Sequence, residues 1–271
     1  MLDKLQSFFG FTRLPFGRDL AVGMLHRHSG HAETVARITW TITTRSLGVV
    51  TGEVGAGKTV AVRAALNGLD ASRHHPIYIP NPHIGTRGLY QQIAASLGHT
   101  PRFHTGALLP QAAHALAVEH TERGRVPVLI IDEAHLLSTT QLESLRMLTN
   151  FDVDSTTPFA CLLVGQPTLR HMLKLGVLAA LDQRIAIKAH IAAMTLDETR
   201  SYLHHHLALA GRSDPLFTDD AAALIHECAR GLPRSVNNIA LQALIATFAA
   251  NNTIVDEAAT RAAVTEVTAT T

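Results

Sequence analysis

Residues 52–59 read Gly52-Glu53-Val54-Gly55-Ala56-Gly57-Lys58-Thr59 and fill the G-x-x-x-x-G-K-[ST] pattern at every fixed position. Glycines lack a Cβ, so successive backbone N–H groups can turn toward one bound polyanion. In this pattern the Lys58 ammonium reaches the β- and γ-phosphates of a nucleotide and the Thr59 hydroxyl ligates Mg²⁺. The whole segment Gly52, Glu53, Val54, Gly55, Ala56, Gly57, Lys58, Thr59 and Val60 is the expected nucleotide cradle. The alternative is an accidental glycine-rich turn ahead of a helix.

The flanks weigh against accident. Leu47 to Thr51 is a short apolar, β-branched run, as a buried parallel strand requires. Val60 to Leu66 is rich in helix formers and stops near Gly68. Strand, glycine turn and helix are the setting the pattern needs, and the helix N-terminus adds partial positive charge beneath the phosphates.

Beyond this unit, residues 31–46 read as a helix. His75 to Pro80 is a second strand, and Thr86–Leu97 and Ala107–Glu122 are helices stopped by Gly98 and Gly124. Val126 to Ile131 is a third strand, apolar throughout. Thr140–Thr149 is a helix, Phe159–Val164 a fourth strand and Arg184–Ala189 a short fifth. Alternating strands and helices predict a five-stranded parallel sheet covered on both faces, an α/β fold. From about Ile191 the strand signals vanish: Glu198–Ala210, Asp219–Ala229 and Arg234–Ala249 read as helices, with a short extended piece and a helix over Ile254–Val267. The expected division is a lead-in over 1–30, an α/β nucleotide-binding domain over 31–190 and an all-helical lid domain over 191–271.

Composition narrows the function classes. The chain has 271 residues, 46% of them apolar, and a net charge of +1, which supports a large core and argues against a polybasic nucleic-acid binder. Aromatics make up 5%, too few for broad base-stacking platforms. Cys161 and Cys228 form no C-x-x-C pair; Cys161, inside an apolar run, reads as a core residue. The N-terminus breaks into charge at Asp3 and Lys4, and no apolar run reaches membrane-spanning length, so the expectation is a cytoplasmic chain without membrane insertion. Of the 17 histidines, His204-His205-His206 invites a metal reading. Successive helical residues point about 100° apart, so the expectation is instead a solvated helix face.

The third strand ends in Asp132-Glu133. A carboxylate at a strand tip opposite a phosphate loop can hold Mg²⁺, the part assigned to Asp132 with Thr59. The next carboxylate can act as general base on water, the part assigned to Glu133. A helix-capping acid is the structural alternative. The gap between Lys58 and Asp132 holds one strand and two helices. ATPases with such an extra strand place the fourth strand beside the phosphate-loop strand. Its tip here is Val164-Gly165-Gln166-Pro167, so Gln166 is the candidate to sense the γ-phosphate or position the water. Arg234, in Gly231-Leu232-Pro233-Arg234, is the candidate to report the nucleotide's state through domain closure. Arg184, after Leu181-Asp182-Gln183, is the candidate arginine finger toward a neighbouring subunit, with Arg170 as a second; a local pair with Asp182 is the alternative for Arg184.

With these motifs placed, the chain resembles the AAA+ P-loop NTPases, and within them the ExeA type, named for general secretion pathway protein A. The resemblance runs in order through Phe11-Thr12-Arg13-Leu14-Pro15-Phe16-Gly17, His31-Ala32-Glu33, Thr51 to Thr59, Asp132-Glu133-Ala134-His135, Gly165-Gln166-Pro167 with Leu169, Gln183-Arg184-Ile185 and Gly231-Leu232-Pro233-Arg234 with Asn237. It implies an ATP- and Mg-dependent ATPase that forms homo-oligomers. Secretion-pathway members usually continue into a membrane-spanning helix and a peptidoglycan-binding module, and this sequence stops at Thr271. It is therefore more similar to short members that accompany transposases. That implies assembly on duplex DNA and recruitment or stimulation of a transposase, with Arg87, Arg146 and Lys174 as candidate phosphate contacts or plain surface charge. The alternatives are a role in secretion or envelope assembly, or an ATP-dependent interaction switch with little turnover.

Overall fold

A computed structural model describes residues 2–17, 20–149 and 157–269. The chain forms two compact units, one of residues 31–52 and 58–191, the other of residues 1–30, 53–57 and 192–271.

The first unit is an α/β sandwich. Its strands are β1 (Leu47–Gly52), β2 (His74–Ile79), β3 (Val126–Ile131), β4 (Ala160–Gly165) and β5 (Ile185–Ile191). All pair in parallel, in the order β2-β3-β4-β1-β5. The fourth strand thus lies beside the phosphate-loop strand, Val50 opposite Val164 and Thr51 opposite Gly165. Every residue of β1 and β4 is buried, which is why both read as unbroken apolar runs and not as alternations. Cys161 is buried within β4, and burial alone pushes its thiol up to about 12.

Among the described residues, seven α-helices belong to this unit: α2 (Ser29–Thr43), α3 (Lys58–Asn67), α4 (Gly85–Ser96), α5 (Thr105–Thr121), α6 (Thr139–Leu148), α7 (Thr168–Leu173) and α8 (Ala179–Arg184), numbered after the N-terminal α1 (Leu2–Phe9). One sheet face packs Ile77, Ile79, Leu129, Ile131 and Leu163 against apolar residues of α4 to α8. Helix α6 starts on a capping box in which Ser138 and Gln141 satisfy each other's backbone amides. Helices α7 and α8 were not anticipated, because six residues are too few to show helical periodicity. Arg184 consequently ends α8, and the fifth strand begins one residue later than its pattern suggested.

The second unit contains α1, α9 (Leu196–Leu209), α10 (Asp219–Ala229), α11 (Pro233–Ala249) and α12 (Glu257–Ala269). The lead-in supplies Leu5, Phe9, Phe11 and Phe16 to its core, with Tyr202, Leu207, Ile225 and Leu244 from the C-terminal helices. Phe217 and Val255 form an isolated parallel bridge, the extended piece before α12. The expected solvated histidine face fails at one position. His204 is exposed, but His206 is 3% exposed and stacks on Phe16 at 5.2 Å. Three consecutive helical residues fan over about 200° of the helix surface, more than one solvated face, so one of them met the core.

Candidate nucleotide site

The loop after β1 turns through Gly55 at φ +82 and Gly57 at φ +97, conformations that L side chains rarely adopt. Helix α3 begins at Lys58, so the N–H groups of its first turn, which have no acceptor within the helix, face back along the loop. Lys58 is buried, and its Nζ donates to the Gly52 carbonyl at 2.9 Å. Of the rest of the expected cradle, Val54 and Thr59 are exposed and Ala56 is buried.

Asp132, buried at the tip of β3, is the hub of the acidic end. Its Oδ2 accepts from the Thr59 hydroxyl at 2.9 Å and from the Tyr78 hydroxyl at 2.7 Å, and its Oδ1 accepts from the Glu133 amide at 2.9 Å. A buried cation at a strand end, a hydroxyl at the start of α3 and a carboxylate bonded to that hydroxyl are the donor set that suits a magnesium–triphosphate. Burial, then the bond to Asp132 and its charge, raise the Tyr78 hydroxyl well above the ordinary tyrosine value, so it stays a donor.

Glu133 sits in the left-handed region at φ +51, an uncommon place for a non-glycine residue, and heads the single 3-10 turn Ala134–Leu136. Its side chain is 46% exposed and open to water. Its Oε2 lies 3.4 Å from His135 Nδ1, and the Gln166 amide lies 3.4 Å from the same nitrogen. One nitrogen cannot accept from Gln166 and donate to Glu133 at once, so His135 Nδ1 can serve one of these partners at a time.

The Gln166 backbone thus meets His135, two residues after Glu133 in the chain. Arg184 is placed elsewhere: its Nη1 donates to Thr149 Oγ1 at 2.9 Å. Asp182 pairs with Lys188 at 2.6 Å. Arg170 is exposed on α7.

In the helical unit, Arg234 occupies the first turn of α11, where its amide donates to the Gly55 carbonyl at 3.3 Å. Its Cβ lies 2.8 Å from where a Cβ on Gly55 would stand. The glycine of Gly231-Leu232-Pro233-Arg234 is dictated by packing. Gly231 has φ +65, its carbonyl accepts from the Met194 amide at 2.9 Å, and a Cβ there would stand 2.2 Å from the Met194 oxygen. Among the described residues no group of three or more His, Cys, Asp or Glu is arranged to hold a metal, and no helix is long and apolar enough to cross a membrane.

Sequence reasoning gave no part to Tyr78 or His135. His135 was visible only as a member of the Asp132–His135 stretch. Tyr78 carried a usable signal, alternation with Ile77 and Ile79 on β2, which puts it on the sheet face opposite that core.

A five-stranded parallel sheet in this order, with a phosphate loop between β1 and α3 and an acidic pair at the tip of β3, is the P-loop fold of the AAA+ class. Residues 41–173 match the AAA domain family. Over 245 residues the chain is 31% identical to general secretion pathway protein A of Aeromonas hydrophila, an alignment covering 90% of this chain and 45% of that protein. The chain thus spans about half the length of that curated relative. In structure it is similar to Cdc6p of Pyrobaculum aerophilum, with a TM-score of 0.68 and 17% identity over 92% of this chain and 68% of that one. It is also similar to the Aeropyrum pernix ORC1 protein solved in complex with DNA, with a TM-score of 0.67 and 15% identity over 93% of this chain and 68% of that one.

Proposed function

We propose that the chain is a Mg-dependent ATPase that converts ATP and water to ADP and phosphate and assembles as a cytoplasmic homo-oligomer on duplex DNA. The observation that carries the ATPase reading is the 2.9 Å bond from Thr59 to Asp132, which joins the phosphate loop's helix to the tip of β3.

The loop amides and Lys58 bind the β- and γ-phosphates. Thr59 and Asp132 would hold Mg²⁺, which when bound supplies positive charge to the phosphate oxygens. Glu133 accepts the proton of the attacking water, and Gln166 positions that water. Arg184 or Arg170 of a neighbouring copy offers charge to the γ-phosphate, and Arg234 ties nucleotide state to the helical unit. The test is Glu133→Gln. Turnover should fall about 100-fold or more while nucleotide affinity stays within about threefold. Unchanged turnover would remove Glu133 as the base.

For DNA, two observations support the reading. No acidic residue occurs between Asp70 and Glu119. Within that stretch the exposed Arg87 lies over the ring of the exposed Phe103 at 5.2 Å. An exposed Arg–aromatic pair within a stretch of sequence that lacks acids suits a phosphodiester backbone and a neighbouring base face. Arg146 is a weaker candidate because it pairs with Glu143 at 2.8 Å. A transposase as partner rests on the resemblance to short transposition helpers. The name of the Aeromonas relative favours a second reading, an ATPase serving secretion or envelope assembly. Co-purification with an inner-membrane protein and no retention on DNA would select it.

A further inference from the structure

β2 is an edge strand of the sheet, and Tyr78 pairs in register with Ile130 of β3. Asp132 lies two residues beyond Ile130, so its side chain shares the sheet face of Tyr78. A diagonal neighbour across parallel strands is several ångströms away, too far for serine or threonine and within reach of a phenol. The Tyr78 hydroxyl closes that gap to Asp132 Oδ2 at 2.7 Å. The same oxygen accepts from Thr59, and the other accepts from the Glu133 amide. Three donors from three elements thus fix one carboxylate. Glu133 follows Asp132 in the chain and Thr59 belongs to the phosphate loop's helix, so Tyr78 is the anchor supplied by the sheet itself.

We propose that Tyr78 is a positioning residue for the divalent cation: its hydroxyl sets the rotamer of Asp132 that faces Thr59. This rests on the nucleotide reading above. A purely structural part for Tyr78 is the rival. Tyr78 is 44% exposed on an edge strand, so packing gives its side chain little to contribute that phenylalanine would not keep. Hydrogen-bonded partners of metal ligands commonly change metal affinity about 10- to 100-fold when removed.

The experiment compares the full chain with its Tyr78→Phe form, reading equilibrium binding of a fluorescent ATP analogue across a series of free Mg²⁺ concentrations and in EDTA. Tyr78→Phe should raise the half-saturating Mg²⁺ about 10-fold, leave affinity in EDTA within about twofold, and leave the melting temperature within about 2 °C. Asp132→Asn should abolish the metal response, and Tyr78→Phe added to it should change nothing further. An unaltered Mg²⁺ requirement in Tyr78→Phe, or equal loss with and without metal, overturns the positioning role alone. A wild-type chain that binds the analogue with no metal response overturns the nucleotide site and this inference together.

Discussion

The Thr59 hydroxyl stands 2.9 Å from Asp132 Oδ2, bonding the first turn of α3 to the tip of β3. That single contact closes the distance between two motifs separated in the chain by a strand and two helices. It means the residue expected to ligate the metal and the residue expected to hold it are already partners. Thr59→Ala should therefore lose the Mg²⁺-dependent part of nucleotide binding and keep the metal-free part. Calorimetry with and without EDTA reads both, and equal loss in the two conditions would contradict the assignment.

Gly231→Ala should destabilise the chain by about 2 to 4 kcal/mol, because a left-handed backbone and a backbone clash coincide there. The Met194 oxygen, 2.2 Å from the added Cβ, belongs to main chain and cannot swing aside. Denaturant unfolding checks this, and an unchanged midpoint would contradict it. Gly106→Ala is the control, since a Cβ there meets nothing within 4 Å.

Stability should fall on the acid side through His206. Burial first, then His205, His26 and Arg13, push its pKa down from 6.5 to about 4. The folded value lies below the unfolded one, so the unfolded chain takes up the proton first as pH drops. The contribution is complete above about pH 6.5 and is lost between there and about 4, on the order of 3 kcal/mol at the acid end. His26 and His28, also lowered chiefly by burial, act in the same direction. Melting curves of the chain and of His206→Phe from pH 7.5 to 4.5 test this. The substitution should flatten the slope, and identical slopes would contradict the account.

Arg87→Ala and Phe103→Ala should each weaken retention on duplex DNA while leaving nucleotide affinity unchanged. Arg87→Ala should also reduce the slope of log affinity against log salt by about one. Filter binding across a salt series measures both, and wild-type retention in both variants would move the DNA contact elsewhere.

Much of the α/β unit was legible in the sequence because its signals were local. Val126–Ile131 is bounded by Gly124 and by Asp132, and the structure places β3 over those same residues. Asp219–Ala229 was equally clear, with Thr218 capping the start of α10 and a left-handed Arg230 ending it. What stayed hidden depended on partners far away in the chain. α1 reads as a short lead-in until Phe9 is seen packed with residues of the C-terminal helices. His206 looked like one of three surface histidines until Phe16 supplied the ring it stacks on. The phosphate-loop and acidic residues were readable as types, but the bond from Tyr78 required knowing that β2 runs beside β3. The bond from Arg184 to Thr149 required knowing that α8 precedes β5.

The most direct test of the whole account is calorimetric titration of ATP into the wild-type chain and into Lys58→Ala, each with Mg²⁺ and with EDTA. The wild-type chain should bind with a clear gain from magnesium, and Lys58→Ala should show no measurable heat in either condition. A wild-type chain that takes up no nucleotide, or a Lys58→Ala form that binds as well as wild type, would contradict the claim that this loop holds a triphosphate.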